Sequence, residues 1–144
     1  MEKKGKNKLV VQGIIFAVSF AIAFFGANYF FSKKDNTPEA MLLENSLKAN
    51  KDLPKMLDSE TRLDSTSVEN STLKYHHTLI NTIKDSSAMD FEVIKMQMSK
   101  KAQDNFDTNP VMKDYRENNV TLQYIFNDKN NNEVLEYTIK PKNQ

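Results

Sequence analysis

The sequence predicts an N-terminal transmembrane helix followed by one small α+β domain. Elements in the order α-β-β-α-α-β-β are expected to form a four-stranded antiparallel sheet with helices on one face. Three observations predict this fold class. The run Leu9–Phe31 carries no charged residue. Beyond it, apolar residues alternate with polar ones in short segments, as in strands buried on one face. Between these segments they recur every three or four positions, as in amphipathic helices.

The apolar run is long enough to cross a bilayer. Its 23 residues would make a helix of roughly 34 Å, against a hydrocarbon core of roughly 30 Å. Lysines are concentrated in residues 1–8, whereas only Lys33 and Lys34 follow the run closely. The positive-inside rule therefore places residues 1–8 in the cytoplasm. We expect a single-pass protein of the bacterial inner membrane, with a linker over residues 32–37 and a periplasmic or extracytoplasmic domain over residues 38–144.

Two features of this run leave alternatives open. Ala21-Ile22-Ala23 has the small-x-small pattern of a signal peptidase site, so the run could be a cleaved signal peptide. Gly13, Ala17 and Ala21 recur every four residues, a pattern that permits weak helix–helix association in membranes. The alternative is that these small residues only dilute a lipid-facing helix.

Composition excludes several classes of protein. Residues 35–144 carry 14 Lys and Arg against 18 Asp and Glu, a net charge of −4 that argues against nucleic-acid binding. The chain has no cysteine, so disulfides and thiolate chemistry are excluded. Its three glycines lie at positions 5, 13 and 26, which leaves no glycine-rich nucleotide loop in the domain. No cofactor is predicted, and tight turns are expected to use Asn and Asp instead of glycine.

The first helix of the domain is predicted to begin at Asn36, whose side chain can cap it, and to run to about Asn50, with Pro38 in its first turn. Three apolar residues at helical spacing mark one face: Ala40, Leu43 and Leu47. Pro54 then interrupts the pattern, so an irregular segment is expected before the first strand.

Two hairpins and two further helices complete the prediction. The first hairpin joins Thr61–Glu69 to Thr72–Thr82 through a turn at Asn70. Ser86 or Ser87 then caps a second helix. Its buried stripe is predicted to consist of Phe91, Ile94, Met98, Ala102 and Phe106. A short helix opened by Asn109-Pro110 leads to the second hairpin, in which strands around Val120–Phe126 and Leu135–Ile139 flank the polar turn Asp128–Asn132.

Catalytic and metal-binding patterns are weak. Neighbouring residues in a strand point to opposite faces, so His76 and His77 cannot bind one metal together. We place His77 in the core and His76 on the open face of the sheet. Met89, Met96 and Met98 are soft ligands that would suit copper, but Met98 belongs to the buried stripe, and methionine commonly fills gaps in cores. Asp58 lies in an acidic segment without a positioned catalytic partner. We therefore expect no enzyme, and an enzyme using His76 or Asp58 stays a third reading.

The open face of the sheet is the candidate partner surface. Apolar β-branched residues lie there among polar ones, as in a modest contact patch, and exposed edge strands could also recruit a partner strand. The predicted surface consists of Lys74, His76, Thr78, Ile80, Thr121, Gln123, Ile125, Val134, Glu136 and Thr138.

Part of the chain resembles small, largely uncharacterised bacterial envelope proteins that have an exported α+β domain. Their Leu-Pro, D-x-x-T-x-L and Y-x-Y features correspond to Leu53-Pro54, Asp58-x-x-Thr61-x-Leu63 and Tyr75. Their closing hairpin resembles VTLQYIFNDKNNNEVLEYTI, beginning at Val120. The similarity covers about residues 40–140. The chain departs from these proteins at His77, which replaces the second aromatic residue, at an Asn that replaces the turn glycine, and in lacking a late cysteine pair.

The resemblance implies fold and compartment but no activity. With the predicted anchor it favours a membrane-bound module that binds or scaffolds other envelope proteins. The alternative is a secretion-related accessory protein, such as an assembly chaperone or an inhibitor.

Overall fold

The computed structural model describes residues 37–80 and 90–142. The elements in chain order are α1 (Pro38–Asn50), β1 (Lys55–Met56), β2 (Thr61–Glu69), β3 (Thr72–Leu79), α2 (Phe91–Thr108), a 3₁₀ turn (Pro110–Met112), α3 (Lys113–Glu117), β4 (Thr121–Asp128) and β5 (Glu133–Ile139). The predicted α+β order is confirmed apart from β1. The predicted transmembrane segment Leu9–Phe31 lies outside the described residues. None of the helices within the described ranges is long and apolar enough to cross a membrane.

The sheet is mixed, and the prediction of four antiparallel strands is wrong in two respects. Within the described residues the sheet has five strands, in the order β1-β2-β3-β4-β5. The additional strand is the two-residue β1, which pairs with β2 at Leu63 and Arg62. The strands β3 and β4 pair in parallel, whereas the other three pairs are antiparallel. A parallel pair needs a long crossover connection. The chain between them supplies it, since α2, the 3₁₀ turn and α3 all lie between these two strands.

Helix α2 is the element that the sequence predicts best. Ile94, Met98, Ala102 and Phe106 are buried as expected, and Phe91 is half-buried against the same core. The cap differs, because the Asp90 carboxylate accepts hydrogen bonds from the N–H groups of Glu92 and Val93 at 3.1 and 3.2 Å. The predicted caps Ser86 and Ser87 lie outside the described residues.

Helix α1 is turned differently from the prediction. Its buried residues are Leu42, Asn45, Ser46 and Ala49, whereas Ala40, Leu43 and Leu47 all lie in solvent. Its cap is Thr37, whose hydroxyl accepts a hydrogen bond from the N–H of Ala40 at 3.3 Å. The predicted cap, Asn36, is outside the described residues. The more apolar face of α1 is thus the outward one.

Polar contacts with β2 explain this orientation. The Asn50 amide donates to the Thr66 carbonyl at 2.8 Å, and its oxygen accepts from the Thr66 N–H at 2.7 Å. The Ser46 and Thr66 hydroxyls lie 2.8 Å apart. The N–H and C=O of one strand residue point to the same side. The side chain of Asn50 therefore satisfies the backbone of β2 in the way that a neighbouring strand would.

Asparagines form the tight turns, as the absence of glycine from residues 38–144 predicts. Among the described residues, positive φ occurs only at Asn70, Asn119 and Asn131, with φ values of 52°, 54° and 66°. Asparagine tolerates this left-handed region better than other residues with a Cβ atom. Asn70 turns β2 into β3, Asn119 ends the segment after α3, and Asn131 lies in the turn between β4 and β5.

Aromatic rings stack across three strands beneath the helices. The register places Tyr75 beside Tyr124 and Tyr124 beside Tyr137, with ring centroids 5.1 and 4.9 Å apart. In the neighbouring row His77 stacks on Phe126 at 4.4 Å. Such pairs contribute about 0.5–1.5 kcal/mol each beyond the burial of their area. Burial raises the pKa of all three tyrosines well above its usual value, so they stay neutral.

His77 is a core residue, as predicted. It is fully buried, and its Nδ1 lies 3.3 Å from the carbonyl oxygen of Ile125. A neutral ring that carries its proton on Nδ1 donates this bond. Burial lowers the pKa of His77 to about 4, although the bond to Ile125 and the charge of Asp64 oppose the shift. The histidine therefore folds in its neutral form.

We expect Asn50→Ala to lower the free energy of unfolding by roughly 1–3 kcal/mol, because both backbone groups of Thr66 lose their partner. Asn130→Ala, in the exposed turn between β4 and β5, is the matched control and should change stability little. Urea denaturation monitored by circular dichroism measures both variants. Equal midpoints for the two variants would contradict the role of Asn50.

We expect acid to destabilise the domain through His77. Its pKa rises from about 4 in the folded chain to about 6.5 in the unfolded chain, so below about pH 6.5 the unfolded chain binds more protons. Stability should therefore fall by up to roughly 3 kcal/mol between about pH 6.5 and pH 4. In His77→Phe this component should disappear, which urea denaturation at several pH values would reveal.

His76→Gln is the control for this measurement, because His76 lies on the opposite face and is only half-buried. It should retain most of the acid-dependent loss. If His77→Phe and the unsubstituted protein lost the same free energy of unfolding over this pH range, the buried histidine would not be the source of the loss.

Candidate partner surface

The open face of the sheet carries the side chains that the sequence assigns to a partner surface. Most of them lie within β3, β4 and β5 and are half-exposed, namely Lys74, His76, Thr78, Thr121, Gln123, Ile125, Val134 and Glu136. Thr138 is exposed, and Ile80 follows the end of β3 with 36% of its surface exposed. The alternation predicted for these strands is therefore present. Val134 departs in part, because it also packs against the core.

Opposite charges on this face are paired within it. Lys74 forms an ion pair with Glu69 at the β2–β3 turn, and Arg62 forms one with Asp64 on β2. The hydrogen bond and the charge of Lys74 hold the pKa of Glu69 below its usual value. These pairs are partly exposed to solvent, so they add little to stability. Their effect is that the face presents no concentration of one charge.

Hydrogen bonds of hydroxyl groups connect the strands in the same way. The Ser67 hydroxyl lies 2.8 Å from Nε2 of His76, and the Thr78 hydroxyl donates to the Asp64 carboxylate at 2.6 Å. Burial, followed by the charge of Lys74, lowers the pKa of His76. His76 is therefore a largely neutral side chain held by Ser67 on this face.

Apolar residues on the face are separated from one another. Ile125 is central, and the register places His76 on one side of it and Glu136 on the other. Gln123, two residues before Ile125, donates a hydrogen bond to the Glu136 carboxylate at 2.8 Å. The predicted apolar contact patch is thus reduced to single side chains in a polar surround. Such a face suits recognition by shape and hydrogen bonds more than by apolar burial.

The third reading is an enzyme that uses His76 or Asp58. Among the described residues, no contact joins these two side chains. Asp58 accepts hydrogen bonds from the N–H groups of Glu60 and Thr61, both at 2.7 Å, which makes it a turn residue that leads into β2. Its other oxygen is buried and lacks a hydrogen-bond partner within the described residues.

The residues that could hold a metal are likewise apart. Met96 is exposed and Met98 is buried, so they face opposite sides of α2, and Met89 lies outside the described residues. Within residues 37–80 and 90–142, no group of three or more His, Cys, Asp or Glu side chains could hold a metal ion.

A second surface was missed by the sequence analysis. Helices α1 and α2 both expose apolar side chains on the side away from the sheet. We call the set Ala40, Leu43, Leu47, Val93 and Met96 the outer apolar surface. The exposed fractions are 51% for Leu43, 59% for Leu47, 41% for Val93 and 63% for Met96. The spacing of Ala40, Leu43 and Leu47 is the available signal in the sequence, but by itself it predicts the buried face of an ordinary amphipathic helix.

A narrow cleft lies between α1, β2, β3 and α3. Its lining includes Asn45, Thr66, Tyr75 and Tyr115, and its enclosed part has room for about one water molecule. The Asn45 amide is buried there, and its hydrogen bond opposes the rise that burial causes in the pKa of Tyr115. The cleft is too small for a substrate or an organic cofactor.

Three solved structures share this fold. A Pseudomonas aeruginosa protein designated as secreted has 17% sequence identity and a TM-score of 0.58, over 76% of this chain and 95% of that chain. EpsS, the pilotin of the Vibrio vulnificus type 2 secretion system, has 7% identity and a TM-score of 0.56, over 74% and 94%. AspS, the type II secretion system pilotin of Vibrio cholerae, has 12% identity and a TM-score of 0.50, over 83% and 94%.

These similarities establish a shared fold and no more, because all three sequence identities lie far below the level at which function can be transferred. The fold nevertheless extends over nearly the whole of each related chain. No functionally curated protein matches the sequence. Residues 36–136 match the family described as a domain of unknown function, DUF8479, and this match spans α1 to the middle of β5. The chain therefore belongs to the DUF8479 family.

Proposed function

We propose that this protein is an extracytoplasmic accessory protein of a secretion or envelope-assembly system, which binds a segment of another envelope protein. The observation that carries the proposal is the fold. Its described similarities are to a secreted protein and to two type II secretion pilotins, and they cover 94–95% of those chains. A shared fold does not by itself transfer a function, so the surface and the compartment must support it.

The proposed compartment rests on the N-terminal sequence. Leu9–Phe31 is free of charge and is preceded by four lysines within eight residues. We propose that it anchors the chain in the inner membrane, with residues 38–144 on the extracytoplasmic side. A cysteine-free domain suits this placement as well as any other, because the extracytoplasmic environment permits disulfides without requiring them.

The open face of the sheet is the proposed contact with the partner protein. Its polar groups already satisfy one another, as in the Ser67–His76 and Gln123–Glu136 contacts. A partner that covers these groups leaves them hydrogen-bonded to one another, which removes part of the cost of covering a polar surface. Ile125 at the centre supplies an apolar contact point, and Ile80 and Val134 supply others nearer the edges of the face.

A general scaffold for envelope proteins is the second candidate. The same open face supports it, so the two candidates differ in timing rather than in surface. An accessory protein contacts its partner during secretion or assembly, whereas a scaffold keeps its partner. We propose no catalytic role, because His76 is hydrogen-bonded to Ser67 and Asp58 accepts hydrogen bonds from the N–H groups of its own turn.

Site-specific photo-crosslinking in intact cells tests the surface. A photo-reactive amino acid at Thr138, on the open face, should give a discrete adduct with an envelope protein. The matched control is Lys129, which is exposed in the turn between β4 and β5 and should give none. An adduct only while secretion or assembly is active supports the accessory role, and a constant adduct supports the scaffold. Adducts at Lys129 but not at Thr138 would exclude the open face.

Cysteine labelling tests the compartment, and the cysteine-free chain makes it unambiguous. Asn130→Cys should react with a membrane-impermeant maleimide in intact spheroplasts, because the turn is exposed and extracytoplasmic. Lys4→Cys should react only after lysis. The reverse pattern, or recovery of the labelled domain in the soluble fraction, would overturn the proposed topology.

A further inference from the structure

The outer apolar surface lies opposite the faces that pack on the sheet. Successive residues of an α-helix are about 100° apart around its axis. Leu47 and Ala40 therefore point nearly away from the buried side of α1, which Leu42 and Ala49 mark. On α2, Met96 is likewise turned away from Ile94 and Met98. Both helices pack their inner sides into one core, so their outer sides belong to the same layer of the domain.

An amphipathic helix normally buries its more apolar face. In α1 that face is exposed, and polar side chains are buried in its place. Exposure of single apolar residues is ordinary on protein surfaces. Here Leu43 and Leu47 lie one turn apart, and Val93 and Met96 repeat the arrangement on the second helix of the layer. Two such pairs of exposed apolar side chains on the helix layer indicate a surface that is covered in the working protein.

The sequence before α1 limits what can cover it. Only residues 32–37 separate the uncharged run Leu9–Phe31 from Pro38. Six extended residues reach at most about 22 Å. If the run is anchored as proposed above, α1 begins within that distance of the bilayer surface. A second copy of the chain is a poorer occupant, since stable interfaces bury roughly 1,200–2,000 Å², far more than these five side chains supply.

We propose that the outer apolar surface rests on the membrane surface, with Leu43 and Leu47 of α1 and Val93 and Met96 of α2 inserted at the boundary between head groups and acyl chains. This inference rests on the proposed membrane anchor. Helices with an apolar side bind membranes in this interfacial manner. The contact made by so few residues is weak alone, but the anchor raises its effective concentration, as a short linker does for a second binding site.

Charge contributes little to this contact. Glu44 and Lys48 lie beside the outer residues of α1 and form an ion pair with atoms 2.6 Å apart, and Lys51 follows the end of the helix. The helix therefore has no basic stripe for anionic lipids. Burial of apolar side chains must dominate, so the contact should persist in zwitterionic vesicles and at high salt.

The arrangement also orients the domain. The helices cover one face of the sheet, so a helix layer that lies on the bilayer leaves the open face directed into the extracytoplasmic space. Ile125 and its neighbours would then be presented to partners, and the two surfaces would not compete for one occupant.

Depth-dependent fluorescence quenching in vesicles tests the proposal. The full-length chain with Leu47→Cys, labelled with an environment-sensitive fluorophore, is reconstituted in phosphatidylcholine vesicles containing nitroxide-labelled lipid. The matched control is Thr138→Cys on the open face. We expect a blue-shifted emission and at least threefold stronger quenching at position 47 than at position 138, unchanged between 0.1 and 1 M salt. Met96→Cys should behave as Leu47→Cys does.

The outcomes separate this inference from the proposed anchor. Failure of the protein to co-float with vesicles overturns the anchor and this inference together. Co-flotation with equal, weak quenching at positions 47 and 138 overturns only the inference. A blue shift at position 47 without nitroxide quenching means that a protein, and not lipid, covers the outer apolar surface. A shift that then grows with the protein-to-lipid ratio would identify a second copy of the chain, and this too overturns the proposal.

Discussion

The parallel pairing of β3 with β4 is the constraint on which the rest of this fold depends. It sets Tyr75 beside Tyr124 and His77 beside Phe126, so that aromatic rings stack in rows and continue to Tyr137 on β5. A slip of one residue would turn each of these rings to the solvent side. The same pairing requires a crossover, and the crossover supplies α2, whose buried stripe closes the core. One register thus determines the core, the helix layer and which side chains reach the open face.

The sequence predicts the parts of this fold that depend on local pattern. The α2 stripe, the alternation along β3 and β4, and the asparagine turns all follow from spacing or backbone conformation within a few residues. Strand direction does not, because a run of alternating residues has no information about its partner. The helical segments between β3 and β4 are long enough to form a crossover connection. The sequence was therefore compatible with a parallel β3–β4 pair as well as with an antiparallel one. The two-residue strand β1 has no pattern to recognise.

The orientation of α1 shows why apolar spacing can mislead. Leucines occur on both sides of this helix, at Leu42 and at Leu43 and Leu47, so the pattern alone barely favours one side. The decision comes from Asn50 and Ser46, whose bonds to Thr66 remove the cost of burying polar groups. Such bonds join residues 16 and 20 positions apart and cannot be predicted from one helix. The alternation that directs side chains to the open face follows from the sequence, whereas the ion pairs within that face also needed the structure.

The two faces of the domain differ in the chemistry they offer. Many polar side chains on the open face already bond one another, so a partner there gains mainly from shape and from exchange of hydrogen bonds, which favours reversible contacts. The outer apolar surface has the opposite character, because removing apolar side chains from water is favourable whatever covers them. An accessory protein in an envelope needs both properties, a persistent location and an exchangeable partner. In the proposed arrangement they lie on opposite sides of one sheet, so strengthening the proposed membrane contact need not tighten the hold on the proposed partner.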